Sequence, residues 1–141
     1  MAQRPDLIVL DTNLWISFLL NKSLGDLEIL LFKGLAKLVF SEELLSEFLE
    51  VSKRPKIRRY ISTKDLNHII NGINAYSNFF EVEVIEKICR DPKDDFLLAL
   101  AKTSNADYLI TGDKDLLILD KIGDTQIITL TDYLSISKKS S

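Results

Sequence analysis

Histidine and cysteine are nearly missing from this 141-residue chain, which has His68 and Cys89 as the single example of each. One cysteine excludes an internal disulfide and a cysteine-rich metal site. One histidine leaves no serine or cysteine with an evident imidazole partner for nucleophilic catalysis. His68 reads as solvated on a polar helix flank, and Cys89 as a packing residue. No apolar run approaches the ~20 residues needed to span a bilayer. The opening Met1-Ala2-Gln3-Arg4-Pro5-Asp6 has no apolar core behind a basic head. Neither secretion nor membrane insertion is expected, and a reducing cytoplasm is the expected compartment. Internal repeats and low-complexity tracts are lacking as well, and so is any excess of positive charge, the formal net charge being −3.

What is present is an ordinary balance of 46% hydrophobic and 28% charged residues in a length that suits one domain with a sizeable core. That domain is expected over residues 1–135, with 136–141 as a frayed tail. The small net charge hides a strong polarity. Lys53, Arg54, Lys56, Arg58, Arg59 and Lys64 follow one another with no acid among them, leaving 12 basic residues against 21 acidic ones elsewhere. A solvated linker between helices is the simplest account of such a run. Tyr60, set among the cations, also offers a stacking face for a nucleic-acid base.

Strand and helix patterns alternate along the chain. Leu7–Leu10 is a short, continuously apolar run that predicts a buried central strand. A helix from about Asn13 through Leu20 follows, then a second over Leu24–Lys33 closed by Gly34, and a strand over Lys37–Phe40. Ser41 stands at an N-cap, with Glu42 and Glu43 in the first turn of a helix running to about Ser52. Ser62 or Thr63 caps the next helix, whose apolar face continues to Tyr76 and Phe79. Alternating acidic and apolar residues over Phe80–Ile85 predict a half-exposed edge strand. Asp91-Pro92-Lys93-Asp94-Asp95 reads as a turn that ends in a helix cap, and Phe96–Ser104 as a buried helix. Tyr108–Ile110 is a strand, Leu116–Leu119 a turn of helix, Gln126–Thr129 the last strand, and Thr131 opens a terminal helix. The alternation specifies an α/β fold, a three-layer α/β/α sandwich around a central parallel sheet.

Two of the strands run straight into aspartate, Leu7–Leu10 into Asp11 and Tyr108–Ile110 through Thr111-Gly112 into Asp113. In an open parallel sheet the crevice beyond the carboxyl ends of the strands is where ligands sit. Glu47, at the border of an apolar helix stripe, and Asp95, at a helix start, are further candidates for the same place. Carboxylates held together repel unless a cation joins them. An all-oxygen set without histidine or cysteine suits Mg²⁺ or Mn²⁺. The acids other than Asp11 also have ordinary alternatives: Asp95 as an N-cap, Glu47 as a solvated helix residue, Asp113 and Asp115 as turn formers beside Gly112. Asp11, a charge directly after four apolar residues, is harder to explain so.

Taken in order, Leu10-Asp11-Thr12-Asn13, Ser41 with Glu47, Asp91-Pro92-Lys93-Asp94-Asp95 before Leu97-Leu98-Ala99-Leu100-Ala101, and Ala106 to Leu117 with its Thr111-Gly112-Asp113 turn together resemble a PIN domain. The resemblance spans about Leu7 to Tyr133, and it is strongest to the small prokaryotic PIN proteins described as toxins of toxin–antitoxin pairs. It implies a Mg²⁺- or Mn²⁺-dependent endoribonuclease acting on single-stranded RNA as a homodimer, with an antitoxin protein as partner. It also implies Asp11, Glu47, Asp95 and Asp113 as metal ligands, one or two of them positioning the attacking water. Asn13, Ser41 and Thr111 fall at positions that support the acids or the water by hydrogen bonds, and the roles of Asp91, Asp94 and Asp115 stay open. Asp94 and Asp95 are interchangeable on this basis, and Asp95 is preferred because it precedes Leu97-Leu98-Ala99 at the family's usual interval. Lys53, Arg54, Lys56, Arg58 and Arg59 are the expected RNA-binding residues.

Three other functions share an acidic α/β pocket. An aspartyl phosphotransferase commonly has a second aspartate two residues after its nucleophile, and Asn13 stands there. A receiver domain wants paired acids after the first strand and a lysine after the last, where Thr129-Leu130-Thr131 stands. The third, an inactive PIN scaffold acting as a binding partner, has less use for an intact acid set.

Overall fold

The computed structural model describes residues 4–140, with side chains from Arg4 to Ser137. Its centre is a six-stranded sheet in the order β3-β2-β1-β4-β6-β5. The strands are β1 (Asp6–Leu10), β2 (Ala36–Phe40), β3 (Ser77–Phe79), β4 (Tyr108–Ile110), β5 (Lys121–Ile122) and β6 (Thr125–Ile128). All neighbours pair in parallel except β5 and β6, which form an antiparallel hairpin at one edge. That hairpin departs from an all-parallel sheet because Gly123 takes a φ of +57° in a turn too short for a crossover.

The helices are α1 (Thr12–Asn21), α2 (Asp26–Phe32), α3 (Glu42–Ser52), α4 (Pro55–Arg58), α5 (Thr63–Tyr76), α6 (Pro92–Ser104), α7 (Lys114–Leu117) and α8 (Leu130–Ser140). They flank the sheet in a three-layer α/β/α arrangement. Local chemistry sets their starts. Ser41 caps α3 by accepting the Leu44 N–H at 3.0 Å, and Ser62 with Asp65 forms a reciprocal capping box on α5. Buried Trp15 ties α1 to β2 and α3, its ring lying 5.2 Å from Phe40 and 6.2 Å from Phe48, centroid to centroid.

Two expectations from the sequence are corrected. The strand expected at Phe80–Ile85 lies earlier, at Ser77–Phe79. Its partner β2 ends at Phe40 and turns into α3, so the Phe80 N–H makes the last bond, to the Phe40 carbonyl at 2.8 Å, and the Glu81 backbone pairs with no strand among the described residues. Helix α6 starts at Pro92 rather than Phe96, because Asp91 is its N-cap and the proline fits the first turn, where no N–H is needed. Helix α8 runs as far as Ser140. Tyr133 anchors α8 in the core and donates its hydroxyl to Asp6 at 3.0 Å, and a helix so anchored propagates easily. Ser141 lies outside the described residues.

The chain lays β1, β2 and β3 outward in one direction, then returns to β1's other side for β4 and β6. The order reverses between β1 and β4, whose last residues pair as Leu10↔Ile110. A crevice at the carboxyl ends of the strands is expected at that reversal.

Candidate metal centre

Asp11 is the first residue past β1, and its N–H still donates to the Ile110 carbonyl of β4 at 3.0 Å. The position is therefore fixed by the sheet. One carboxylate oxygen accepts the Asn13 N–H at 3.1 Å, and the other accepts the Thr111 hydroxyl at 2.7 Å. Thr111 Oγ1 in turn accepts the Asp113 N–H at 3.0 Å, so a single buried hydroxyl connects the aspartates delivered by both strands. Asp113 caps α7, accepting the Asp115 N–H at 2.8 Å.

The third wall is the start of α6. Asp94, in its first turn, is 5% exposed, and its Oδ2 is buried with no hydrogen-bond donor among the described residues. Desolvation raises its pKa to about 7, helped by the Asp113 carboxyl beside it and by Asp91 and Asp11. The positive end of the helix favours the charged form, but burial and the neighbouring carboxylates outweigh it. Glu47 reaches the cleft from α3, where its Oε1 lies 3.6 Å from Lys93 Nζ. A cavity of about 230 Å³ results, lined by Asp11, Asn13, Glu47, Asp94 and Asp113 among others.

Asp95 is not part of this cleft. One residue further along a helix is a rotation of about 100°, and that rotation points its side chain elsewhere. Its Oδ1 accepts the N–H groups of Ile88 at 3.0 Å and Cys89 at 2.7 Å. Asp94, not Asp95, lines the cleft with Asp11, Glu47 and Asp113. Ser41 is buried as the α3 cap and makes no hydrogen bond to a cleft acid among the described residues. Asp115 adjoins the site, but both its oxygens are engaged by Arg90, at 2.9 and 2.8 Å.

The donor set fits a hard divalent cation. Asp94, Asp113 and Asp115 each offer a carboxylate oxygen, and these lie within 4.8 Å of one another. An oxygen with no donor, facing like charges, is what a cation would satisfy. Two cations missed by the motif reading line or border the site: Lys93 in the cleft, and Arg90 on Asp115. Their only sequence signal was their position flanking the acids. Arg54, expected in the basic strip, also lines the cleft, which places one end of the strip at the site. Lys53, Lys56 and Arg59 are exposed and form no ion pair among the described residues. Arg58 donates to Thr63 Oγ1 at 3.1 Å.

A family model described as PIN domain matches residues 7–115. Among solved structures, the chain is similar to one in the crystal structure of VapBC2 from Rickettsia felis bound to a DNA fragment from their promoter. The identity is 16% and the TM-score 0.53, over 86% of this chain and 96% of that one. No curated protein matches. No helix among the described residues is long and apolar enough to cross a membrane.

Proposed function

We propose that this chain, which belongs to the PIN domain family, is a Mg²⁺- or Mn²⁺-dependent endoribonuclease that hydrolyses phosphodiester bonds in single-stranded RNA. The observation that carries the reading is the donor-less, buried Asp94 oxygen set against Asp113 where the strand order reverses. Asp94 and Asp113 are the proposed primary ligands, and Asp11 and Glu47 complete the oxygen set from the same cleft. A bound ion of this type supplies a water of lowered pKa and neutralises charge on a phosphate during in-line displacement. The chain's own contribution is placement. Thr111 and the Asn13 N–H hold the Asp11 carboxylate, and Asp113 is locked by its cap to α7, so neither must reorganise when substrate arrives. Lys93 and Arg54 supply the positive charge that a polyanion needs to approach an acidic cleft.

The reading extends to the toxin of a toxin–antitoxin pair, working as a homodimer with a protein antitoxin in the cytoplasm. The structural likeness to the VapBC2 chain supports it. An aspartyl phosphotransferase is less favoured, since Asn13 turns an exposed side chain where a second acid would be wanted.

The direct test is a labelled, unstructured RNA incubated with the protein and Mn²⁺. Internal cuts are expected in RNA and not in the matching DNA strand. An RNA that stays intact across divalent ions speaks for the inactive scaffold instead. Reversing charge at Arg58 and Arg59 together is expected to weaken RNA binding about tenfold or more at moderate salt and to flatten its salt dependence. Filter binding across a salt series measures both, and an unchanged slope returns the strip to a solvated linker.

A further inference from the structure

A second concavity lies on the other side of the start of α6 and shares no residue with the metal cleft. It encloses about 500 Å³ between α6 and the segment 81–88 and is lined by Glu81, Glu83, Glu86, Ile88, Asp95 and Lys102 among others. We infer that this trough and the open backbone beside it receive an extended polypeptide of alternating basic and apolar residues from a partner protein, which adds a strand beyond β3 and seats a cation on Asp95.

Three independent observations carry this. First, from Glu81 to Lys87 no backbone N–H or carbonyl makes a hydrogen bond among the described residues. The segment continues from β3, an edge strand of the sheet, so its donors and acceptors form an open template for a further strand. Second, the segment exposes apolar side chains that a solvated loop does not need, Val84 at 74% and Ile85 at 52%. Third, the charge is predominantly negative, with Glu81, Glu83, Glu86 and Asp95 against Lys102 in the lining. Glu81 and Glu83 have no cationic partner among the described residues, and Glu42 and Glu43 share a smaller concavity with Glu81, Phe79 and Phe80. Among the described residues only Glu86 of this group is paired, to Lys102 at 3.0 Å.

Asp95 makes the surface specific. It is 6% exposed, its Oδ1 is fixed by two backbone N–H groups, and its other oxygen makes no hydrogen bond among the described residues. A carboxylate fixed in this way, with one oxygen open to an acidic trough that it lines, is a seat for a lysine or arginine head. The alternation Glu81, Val82, Glu83, Val84 sets the partner's pattern, because side chains on adjacent strands meet in pairs on each face.

The probe is a short capped peptide of alternating lysine and valine, added to the full chain, with hydrogen exchange read at residues 81–87. A peptide of equal charge with prolines in place of the valines serves as control. Slowed exchange confined to this segment is expected with the first peptide only. Binding should fall about tenfold for Glu83→Lys and for Asp95→Asn. RNA cleavage by Glu83→Lys should equal that of the unaltered protein, so failure of this inference and failure of the nuclease reading stay distinguishable. Equal binding of the proline peptide, exchange unchanged at 81–87, or affinity untouched by both substitutions overturns the inference.

Discussion

Asp94→Asn is expected to lower kcat/KM for RNA cleavage by about a hundredfold or more, while Asp95→Asn keeps most of the activity. The two residues are neighbours in sequence with the same side chain, so the contrast isolates direction alone. Asparagine at 94 keeps the volume but removes the charge from a buried cleft oxygen that has no donor among the described residues. Asparagine at 95 retains an oxygen able to accept the Ile88 and Cys89 N–H groups, so the turn before α6 survives. Single-turnover rates on one RNA substrate, with circular dichroism to confirm folding, measure the pair. Equal loss in both variants would mean that the turn, not the cleft, controls activity.

Metal removal is the second large effect, and it reaches stability as well as rate. Excess EDTA should stop cleavage. It should also leave a protein whose stability falls as pH rises. The sign follows from Asp94: its pKa is raised from 3.8 to about 7 by burial and by Asp113. Between those values the folded chain holds a proton that the unfolded chain has released, so unfolding becomes easier as pH climbs through that window, and the effect levels off above it. Thermal melts in EDTA are therefore expected to place wild type lower at about pH 8 than at about pH 5 relative to Asp94→Asn, which lacks the titrating group. Saturating Mn²⁺ should stabilise the wild type most at the higher pH, since an ion bound only by the folded state shifts the equilibrium by mass action. A difference between wild type and variant that ignores pH would remove Asp94 from the acidic cluster.

The parts of this site that were legible in the sequence are those fixed by the sheet. Apolar runs of strand length ending in Asp11 and in Thr111-Gly112-Asp113 announced both the strands and the acids beyond them. Parallel pairing of Leu10 with Ile110 then brought them together. The choice between Asp94 and Asp95 was not legible, because it depends on where α6 begins. The interval to Leu97-Leu98-Ala99 favours Asp95, whereas the Asp91 cap and Pro92 start the helix before both aspartates, so that one residue's rotation about the axis separates them. Phe80–Ile85 has the alternation of a strand, but β2 turns away at Phe40 and leaves it without a partner. The pattern was real and its neighbour was missing, and the same mismatch creates the open edge. The short α4 and the β5 hairpin carried too few residues for periodicity to show. The α8 helix runs on through a polar stretch because Tyr133 anchors it, a contact that no local pattern reveals.

One divalent ion is proposed to sit between Asp94 and Asp113 at the sheet's point of reversal. A crystal soaked in Mn²⁺ and measured for anomalous scattering tests it most directly. A single strong peak is expected within coordination distance, roughly 2.0–2.4 Å, of Asp94 and Asp113 oxygens, with Asp11 and Glu47 facing it. A peak on Asp95 with none in the cleft would contradict it, and so would fully loaded crystals with no peak beside Asp94.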